Sequence, residues 1–167
     1  MRKEIERKFL IKETPTHLKA GQLQLIQQGY LSIEPEVRIR SVHPKVGHKE
    51  YTLCIKGPGT LSRTEVDIEI SQEQFEALKT LVPGTMMVKV FQNFWDDNGV
   101  AYECSIVDVG LCGEYWSYCE VEFNSEDEAK SFIVPTWLGT EITYVEGYKM
   151  KNYWQRNHAY LRGKEVV

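Results

Sequence analysis

The sequence predicts an α+β fold dominated by antiparallel β-structure, and three observations carry that reading. First, charged and apolar residues alternate strictly over several stretches, most clearly Arg63-Thr64-Glu65-Val66-Asp67-Ile68-Glu69-Ile70; a period of two is the mark of a strand with two unlike faces. Second, Asp97-Asn98-Gly99 joins two strand-like runs, and Asn-Gly is a strong short-range hairpin signal. Third, Ser71-Gln72-Glu73-Gln74 and Ser125-Glu126-Asp127-Glu128 have the form of capping boxes, which open short helices. With no linker, repeat or low-complexity segment, the 167 residues fit a single domain spanning 1–167 with a real core.

In chain order, Glu4 to Ile11 is the first expected strand, with Ile5, Phe9 and Ile11 on one parity and Glu4, Glu6 and Lys8 on the other. Thr14-Pro15 opens a connection or helical turn around His17-Leu18-Lys19. Gln22 to Ile33 reads as a strand broken near Gly29. Val37 to Val42 is a strand presenting Arg38 and Arg40 together; Pro44 to His48 is a turn; Lys49 to Lys56 is the next strand, closed by Gly57-Pro58-Gly59. Arg63 to Ile70 follows, then a helix whose Phe75, Leu78 and Leu81 stripe packs inward and which ends before Pro83-Gly84. Met86 to Trp95, carrying Lys89, and Val100 to Val109, ending near Asp108, form the hairpin. Tyr115 to Phe123 contains Glu120-Val121-Glu122. A second helix runs through Ala129, Phe132 and Ile133, Pro135 to Gly139 breaks it, and Gly147 to His158 is the last helix.

Composition excludes several classes of function. A net charge of −4 and a pI near 5.6 provide no global attraction to nucleic acid or anionic membrane, so an anion site must be a local basic cluster. No apolar run approaches the ~18 residues of a membrane span, and a charged opening strand is unlike a secretory signal, which points to the cytoplasm. Cys54, Cys104, Cys112 and Cys119 form no C-x-x-C pair and are expected as small buried hydrophobes. The histidines His17, His43, His48 and His158 are expected at the surface.

The charged faces belong inside. They are sorted by sign, with Arg38, Arg40, Lys56 and Lys89 standing apart from the pairs Glu4/Glu6 and Glu120/Glu122, whereas a solvated surface mixes signs. The helices carry apolar stripes that need an apolar sheet face to cover. Helices packed outside a barrel would cover its apolar face and leave the charged one lining the lumen. Such a lining is costly unless paired or coordinated, so it calls for a highly charged ligand together with metal.

These elements fall in the order seen in a known family. Glu4-x-Glu6-x-Lys8, Arg38-x-Arg40, the Thr-Leu-x-x-Lys run ending at Lys56, Arg63-x-Glu65-x-Asp67, Lys89, Asp108, Glu120-x-Glu122 and the segment Trp137 to Thr143 followed by Tyr148 resemble the CYTH family, also called triphosphate tunnel metalloenzymes, from residue 4 to about residue 155. The resemblance implies an eight-stranded antiparallel tunnel barrel with flanking helices. In it Lys8, Arg38, Arg40, Lys56 and Lys89 would bind a small-molecule triphosphate, and Arg63 would bind it too or pair with Glu65 and hold the lining rigid. Glu4, Glu6, Glu120, Glu122 and Asp108 would hold Mg²⁺ or Mn²⁺, whose hard charge suits carboxylate oxygens. Glu4, Glu6, Lys8, Glu65 and Asp67 would form the catalytic set, with Glu65, Asp67 or Glu69 orienting the attacking water. Lys149, Lys151 and Arg156 could reach a tunnel mouth.

Two positions depart from the family pattern: Asp67 stands where Glu is common, and Phe91 where a second basic residue often follows the Lys89 position. The resemblance favours a metal-dependent triphosphatase, in a monomer or homodimer. The alternatives are an adenylyl cyclase, with Tyr30, Phe91, Phe94, Trp95, Tyr102, Trp116 or Tyr118 stacking on adenine, and a catalytically silent triphosphate-binding module.

Overall fold

A computed structural model describes residues 2–109 and 116–160. Its strands are β1 (Arg2–Ile11), β2 (Lys19–Ala20), β3 (Gln24–Ser32), β4 (Glu36–Pro44), β5 (Glu50–Lys56), β6 (Ser62–Glu69), β7 (Met87–Trp95), β8 (Ala101–Val107), β9 (Trp116–Glu122) and β10 (Leu138–Glu141). The helices are α1 (Gln72–Lys79), α2 (Glu126–Ser131) and α3 (Met150–Asn157). All strand pairings are antiparallel, and eight strands close into a barrel in the order β1-β6-β5-β4-β3-β7-β8-β9. Strand β1 makes the closure. Its first half, Arg2 to Ile5, pairs with β6, and Glu6 to Leu10 pairs with β9. Closure removes free sheet edges along that seam.

Alternation sets the two faces. The parity carrying Glu4, Glu6 and Lys8 points inward, and that carrying Phe9 points out under β10 and α2. There Phe9, Cys104, Cys119, Val121, Trp137 and Leu138 form a buried cluster. Helix α1 covers another part of the outer wall, with Phe75 against Tyr51 at 5.2 Å between ring centroids. Its capping box forms as the sequence predicts: Gln74 N donates to Ser71 Oγ at 3.1 Å, and Ser71 N donates to the Gln74 side chain at 2.8 Å. Ser71→Ala should cost ~1 kcal/mol of stability with catalytic constants unchanged, read as a shift of the denaturation midpoint.

Several expectations need correction. Strand β3 runs unbroken through Gly29. That glycine serves close packing, since a Cβ there would lie 2.7 Å from the Met86 sulfur. Helix α1 stops at Lys79 and leaves Leu81 67% exposed, so its inward stripe is Phe75 and Leu78 alone. Helix α2 stops at Ser131; Phe132 still packs on Phe9, Tyr102 and Phe123, but Ile133 is 88% exposed. The box at Ser125 is half made: Ser125 Oγ caps Glu128 N, while the Glu128 carboxylate accepts from Asn124 N. Cys112 and Tyr115 lie outside the described residues.

Helix α3 is unlike the others. Preceded by a 3₁₀ turn at Glu146–Tyr148, it packs Met150, Tyr153 and Trp154 with Tyr30, Met87, Val107 and Tyr118, residues of the inward parity. It therefore closes one end of the barrel with an apolar face. Asp108 and His158 fasten it there. Asp108 accepts from Val88 N at 3.2 Å, from Tyr153 Oη at 2.7 Å and from His158 Nε2 at 2.8 Å, and Thr85 Oγ1 lies 2.9 Å from His158 Nδ1. His158 is thus buried rather than at the surface; His17 and His48 are exposed and His43 half-buried. No helix among the described residues is long and apolar enough to cross a membrane.

Candidate active site

The barrel interior holds a cavity of about 310 Å³. Strand by strand, the inward parity lines it: Glu4, Glu6 and Lys8 from β1, Ile26 and Tyr30 from β3, and Glu36, Arg38 and Arg40 from β4. Lys56 comes from β5, Arg63, Glu65 and Asp67 from β6, Lys89 and Phe91 from β7, Glu103 and Ser105 from β8, and Tyr118, Glu120 and Glu122 from β9. The phosphate, metal and catalytic candidates named from the sequence are therefore brought to one cavity except Asp108 and the exposed Glu69; of the aromatic candidates, Tyr30, Phe91 and Tyr118 line it, while Phe94, Trp95, Tyr102 and Trp116 do not. The Asp108 carboxylate is not among the lining residues. It accepts the three hydrogen bonds described above, which fit an anchor for α3 better than a metal ligand. At the α3 end Lys149 and Lys151 reach the lining, whereas Arg156 donates to Gly147 O outside it.

The charges are organised into two groups. On the β1–β6 side, Lys56 Nζ lies 2.7 Å from Glu4 and 3.2 Å from Glu65. Arg63 spans Glu4 at 2.9 Å, Glu36 at 3.2 Å and Glu6 at 3.7 Å, so from β6 it ties together acidic residues of β1 and β4. On the β7–β9 side, Lys8 Nζ lies 3.0 Å from Glu120 and 3.9 Å from the Tyr118 ring centroid, and Lys89 donates to Tyr118 Oη at 2.9 Å. Tyr118 is thus a platform for two ammonium groups, one through its π face and one through its oxygen. Between the groups stand Arg38 and Arg40, whose buried Nε atoms have no hydrogen-bond partner. Guanidinium donors buried without acceptors are costly, and an anion entering the cavity would supply the acceptors.

A protein similar over most of this chain has a named activity. The inorganic triphosphatase of Nitrosomonas europaea is 35% identical over 153 residues, covering 89% of this chain and 94% of that one. The chain belongs to the CYTH family of triphosphate tunnel proteins. The inorganic triphosphatase of Acetivibrio thermocellus is 30% identical, with 91% and 96% covered. The solved structure of the inorganic triphosphatase NE1496 is 31% identical, with a TM-score of 0.62 and 92% and 95% covered. No protein-family profile matches the chain.

Seen in this CYTH tunnel, the segment Trp137 to Thr143 has a plain job. Glu141 takes both Arg7 Nε and a terminal nitrogen at 2.9 and 2.6 Å, and Thr143 Oγ1 accepts from Lys8 N at 3.0 Å. Together they brace β1 from outside and hold the Lys8 backbone. Sequence reasoning missed Glu36 and Glu103. Glu36 shares the parity of Arg38 and Arg40, a signal that extending that alternation by one step would have caught. Glu103 is opposite Glu120 in the β8–β9 register, which depends on the hairpin alignment rather than on a local motif.

Electrostatics distinguish the acidic residues. Burial, with Glu120 and Glu4 nearby, pushes Glu6 up to about 8. Burial, with Glu120 and Glu122, raises Glu103 to about 7. Glu120 goes the other way: against burial, Lys8 and Lys89 hold it below the usual carboxylate range. Burial lowers Lys89 to about 7. Among the described residues, donors from Cys54, Glu65 and Asp67 lie within 4.8 Å of one another. Burial pushes the Cys54 thiol up to about 12 and it hydrogen-bonds Glu65 at 3.1 Å, so as a protonated thiol it is a poor partner for a hard cation. Glu6, Glu103, Glu120 and Glu122 line the same cavity, and their mutual repulsion helps raise Glu6 and Glu103.

Proposed function

We propose that this protein is a divalent-metal-dependent triphosphatase that hydrolyses inorganic triphosphate inside the tunnel. The observation that carries the reading is the pair Arg38 and Arg40, with Nε donors buried and unpartnered in a cavity that also holds Lys8, Lys56 and Lys89. The names of the similar proteins supply the substrate class. The arginines grip phosphate oxygens in forked pairs, and the lysines add point charge along the chain of phosphates. Lys89, near neutrality in pKa, becomes fully protonated once polyanion arrives. Arg63, already spanning three carboxylates, keeps the acidic wall in shape.

Glu4, Glu6, Glu103, Glu120 and Glu122 would hold Mg²⁺ or Mn²⁺, which when bound neutralises phosphate charge and activates water. Catalysis then rests on positioning and charge, in keeping with phosphoryl transfer generally. Asp67 and Glu65, on the β6 wall of the cavity, are the candidates to orient the attacking water.

The test is orthophosphate release from inorganic triphosphate, thiamine triphosphate and ATP, with Mg²⁺, Mn²⁺ or EDTA. Fastest EDTA-sensitive release from inorganic triphosphate is the expected result. Pyrophosphate with matching cyclic AMP from ATP would assign a cyclase instead, and tight binding without turnover would assign a silent module.

A pH dependence follows from the metal set. In the metal-free protein Glu6 and Glu103 bind protons that the unfolded chain, with glutamates near 4.5, has already released. Between about pH 5 and 7 these two groups give the native state more protons than the unfolded one, so stability falls as pH rises through that window, and above about 7 the depressed Lys89 opposes the trend. A divalent cation displaces those protons. Melting curves should show a cation-induced rise in Tm that is small near pH 5 and grows toward pH 8; a rise independent of pH would contradict the assignment.

A further inference from the structure

On the outer face of the same β8–β9 ladder, Cys104 and Cys119 stand directly opposite one another, one rung from the pair Glu103 and Glu120. Directly opposed residues of antiparallel strands have Cα atoms about 4.5–5.5 Å apart, inside the ~4.4–6.8 Å range that a disulfide spans without backbone movement. Both thiols are free, with 7% and 0% exposure, and Cys119 Sγ donates to the neighbouring Glu120 O at 3.7 Å. They sit among Phe9, Tyr102, Val121 and Trp137, on the opposite side of the sheet from the tunnel.

We propose that Cys104 and Cys119 are an oxidation site, forming a reversible cross-strand disulfide behind the acidic wall. With a small-molecule disulfide such as oxidised glutathione as oxidant, one cysteine sulfur attacks and releases one glutathione thiol. The second cysteine then displaces the other. The net change joins the two protein sulfurs, breaks the glutathione S–S bond, and leaves both cysteine protons on two glutathione thiols. Cys104, 7% exposed against 0% for Cys119, is the more accessible of the two cysteines.

The cross-link has a consequence inside the tunnel, which rests on the proposed metal set. Glu103 and Glu120 face each other on the neighbouring rung, and like charges directly opposite repel. A covalent tie one rung away holds that ladder together against the repulsion and keeps the two carboxylates poised for a cation.

The experiment uses the full chain incubated with oxidised glutathione, then unfolded, alkylated and peptide-mapped. The expected result is a Cys104–Cys119 linked peptide that dithiothreitol reverses, that Cys104→Ser and Cys119→Ser each abolish, and that Cys54→Ser leaves intact. Recovery of both cysteines as free thiols or glutathione adducts, or a link from either to Cys112 or Cys54, overturns the site. In a second arm, the divalent concentration for half-maximal turnover should fall roughly threefold in the cross-linked protein. An unchanged value overturns the coupling to the tunnel. The mass readout does not require turnover, so failure of the triphosphatase reading and failure of the disulfide are distinguishable.

Discussion

Replacing Arg40 by methionine is expected to make the protein more heat-stable and a much poorer triphosphatase. Burial and the adjacent Arg38 charge hold the Arg40 guanidinium below its ordinary pKa, which means that the folded state disfavours its charge. Arginine does not deprotonate at accessible pH, so this cost persists across the whole working range. Its Nε is buried without a hydrogen-bond partner, which adds to it. Methionine keeps much of the volume and removes the charge, and apolar replacement of a buried ion is often stabilising. For a chain of this size each kcal/mol shifts Tm by ~2–4 °C, so a rise of a few degrees is the outcome to look for. Binding moves the opposite way. Charge-assisted hydrogen bonds contribute roughly 1.5–3 kcal/mol each, and losing one forked contact should lower kcat/KM about 100-fold or more. Calorimetry and initial rates on the same preparation decide it. A fall in Tm, or unimpaired kcat/KM, would remove Arg40 from the phosphate grip.

That opposition between stability and binding explains why so much of the site is legible in the sequence. A strand that merely covered a core would show apolar residues on its inward parity. Here the inward parity reads Glu4, Glu6 and Lys8 on β1, Arg38 and Arg40 on β4, and Arg63, Glu65 and Asp67 on β6. Only a barrel with a ligand-demanding interior makes sense of charge sorted in that way. Turn and cap chemistry is local too, so the Asn98-Gly99 hairpin and the Ser71 capping box could be placed without tertiary information.

What stayed hidden depends on contacts distant in sequence. Along the chain Arg63 reads as a phosphate ligand or as a partner of Glu65 that holds the lining rigid; in three dimensions its carboxylate partners are Glu4, Glu6 and Glu36 from two other strands. Glu103 gains its meaning from the residue across the hairpin. Gly29 reads as a break because glycine is a poor strand former, whereas its role is to admit Met86 and Val82. His158, near the end of a polar helix, gave no periodic signal for burial; its partners Asp108 and Thr85 lie 50 and 73 residues away.

Asp108 is where motif order and geometry part most sharply, and Asp108→Ala should separate a metal ligand from an anchor. With Asp108 ionised, His158 Nε2–H donates to it and Nδ1 is left to accept the Thr85 hydroxyl, so one carboxylate fixes the whole chain of bonds to α3. Against burial, the bonds from His158 and Tyr153 hold Asp108 below the usual range. A depressed carboxylate stabilises the fold above its unfolded pKa and loses that contribution as pH falls through the folded one, so the clasp is fully made at neutral pH. Its backbone φ of 53° is a conformation that Asp tolerates and Ala disfavours. Truncation strands the donors of Val88, Tyr153 and His158, each costing roughly 1–3 kcal/mol, for a Tm loss on the order of 10 °C. Asp108→Asn, which keeps an acceptor and tolerates the same φ, should lose clearly less. The cation requirement discriminates: an anchor leaves the half-maximal Mg²⁺ concentration within about twofold in surviving native protein, whereas even a residue one step removed from a metal typically costs ~10–100-fold. A large rise in the Mg²⁺ requirement for Asp108→Asn, at temperatures where it remains folded, would return Asp108 to the metal site.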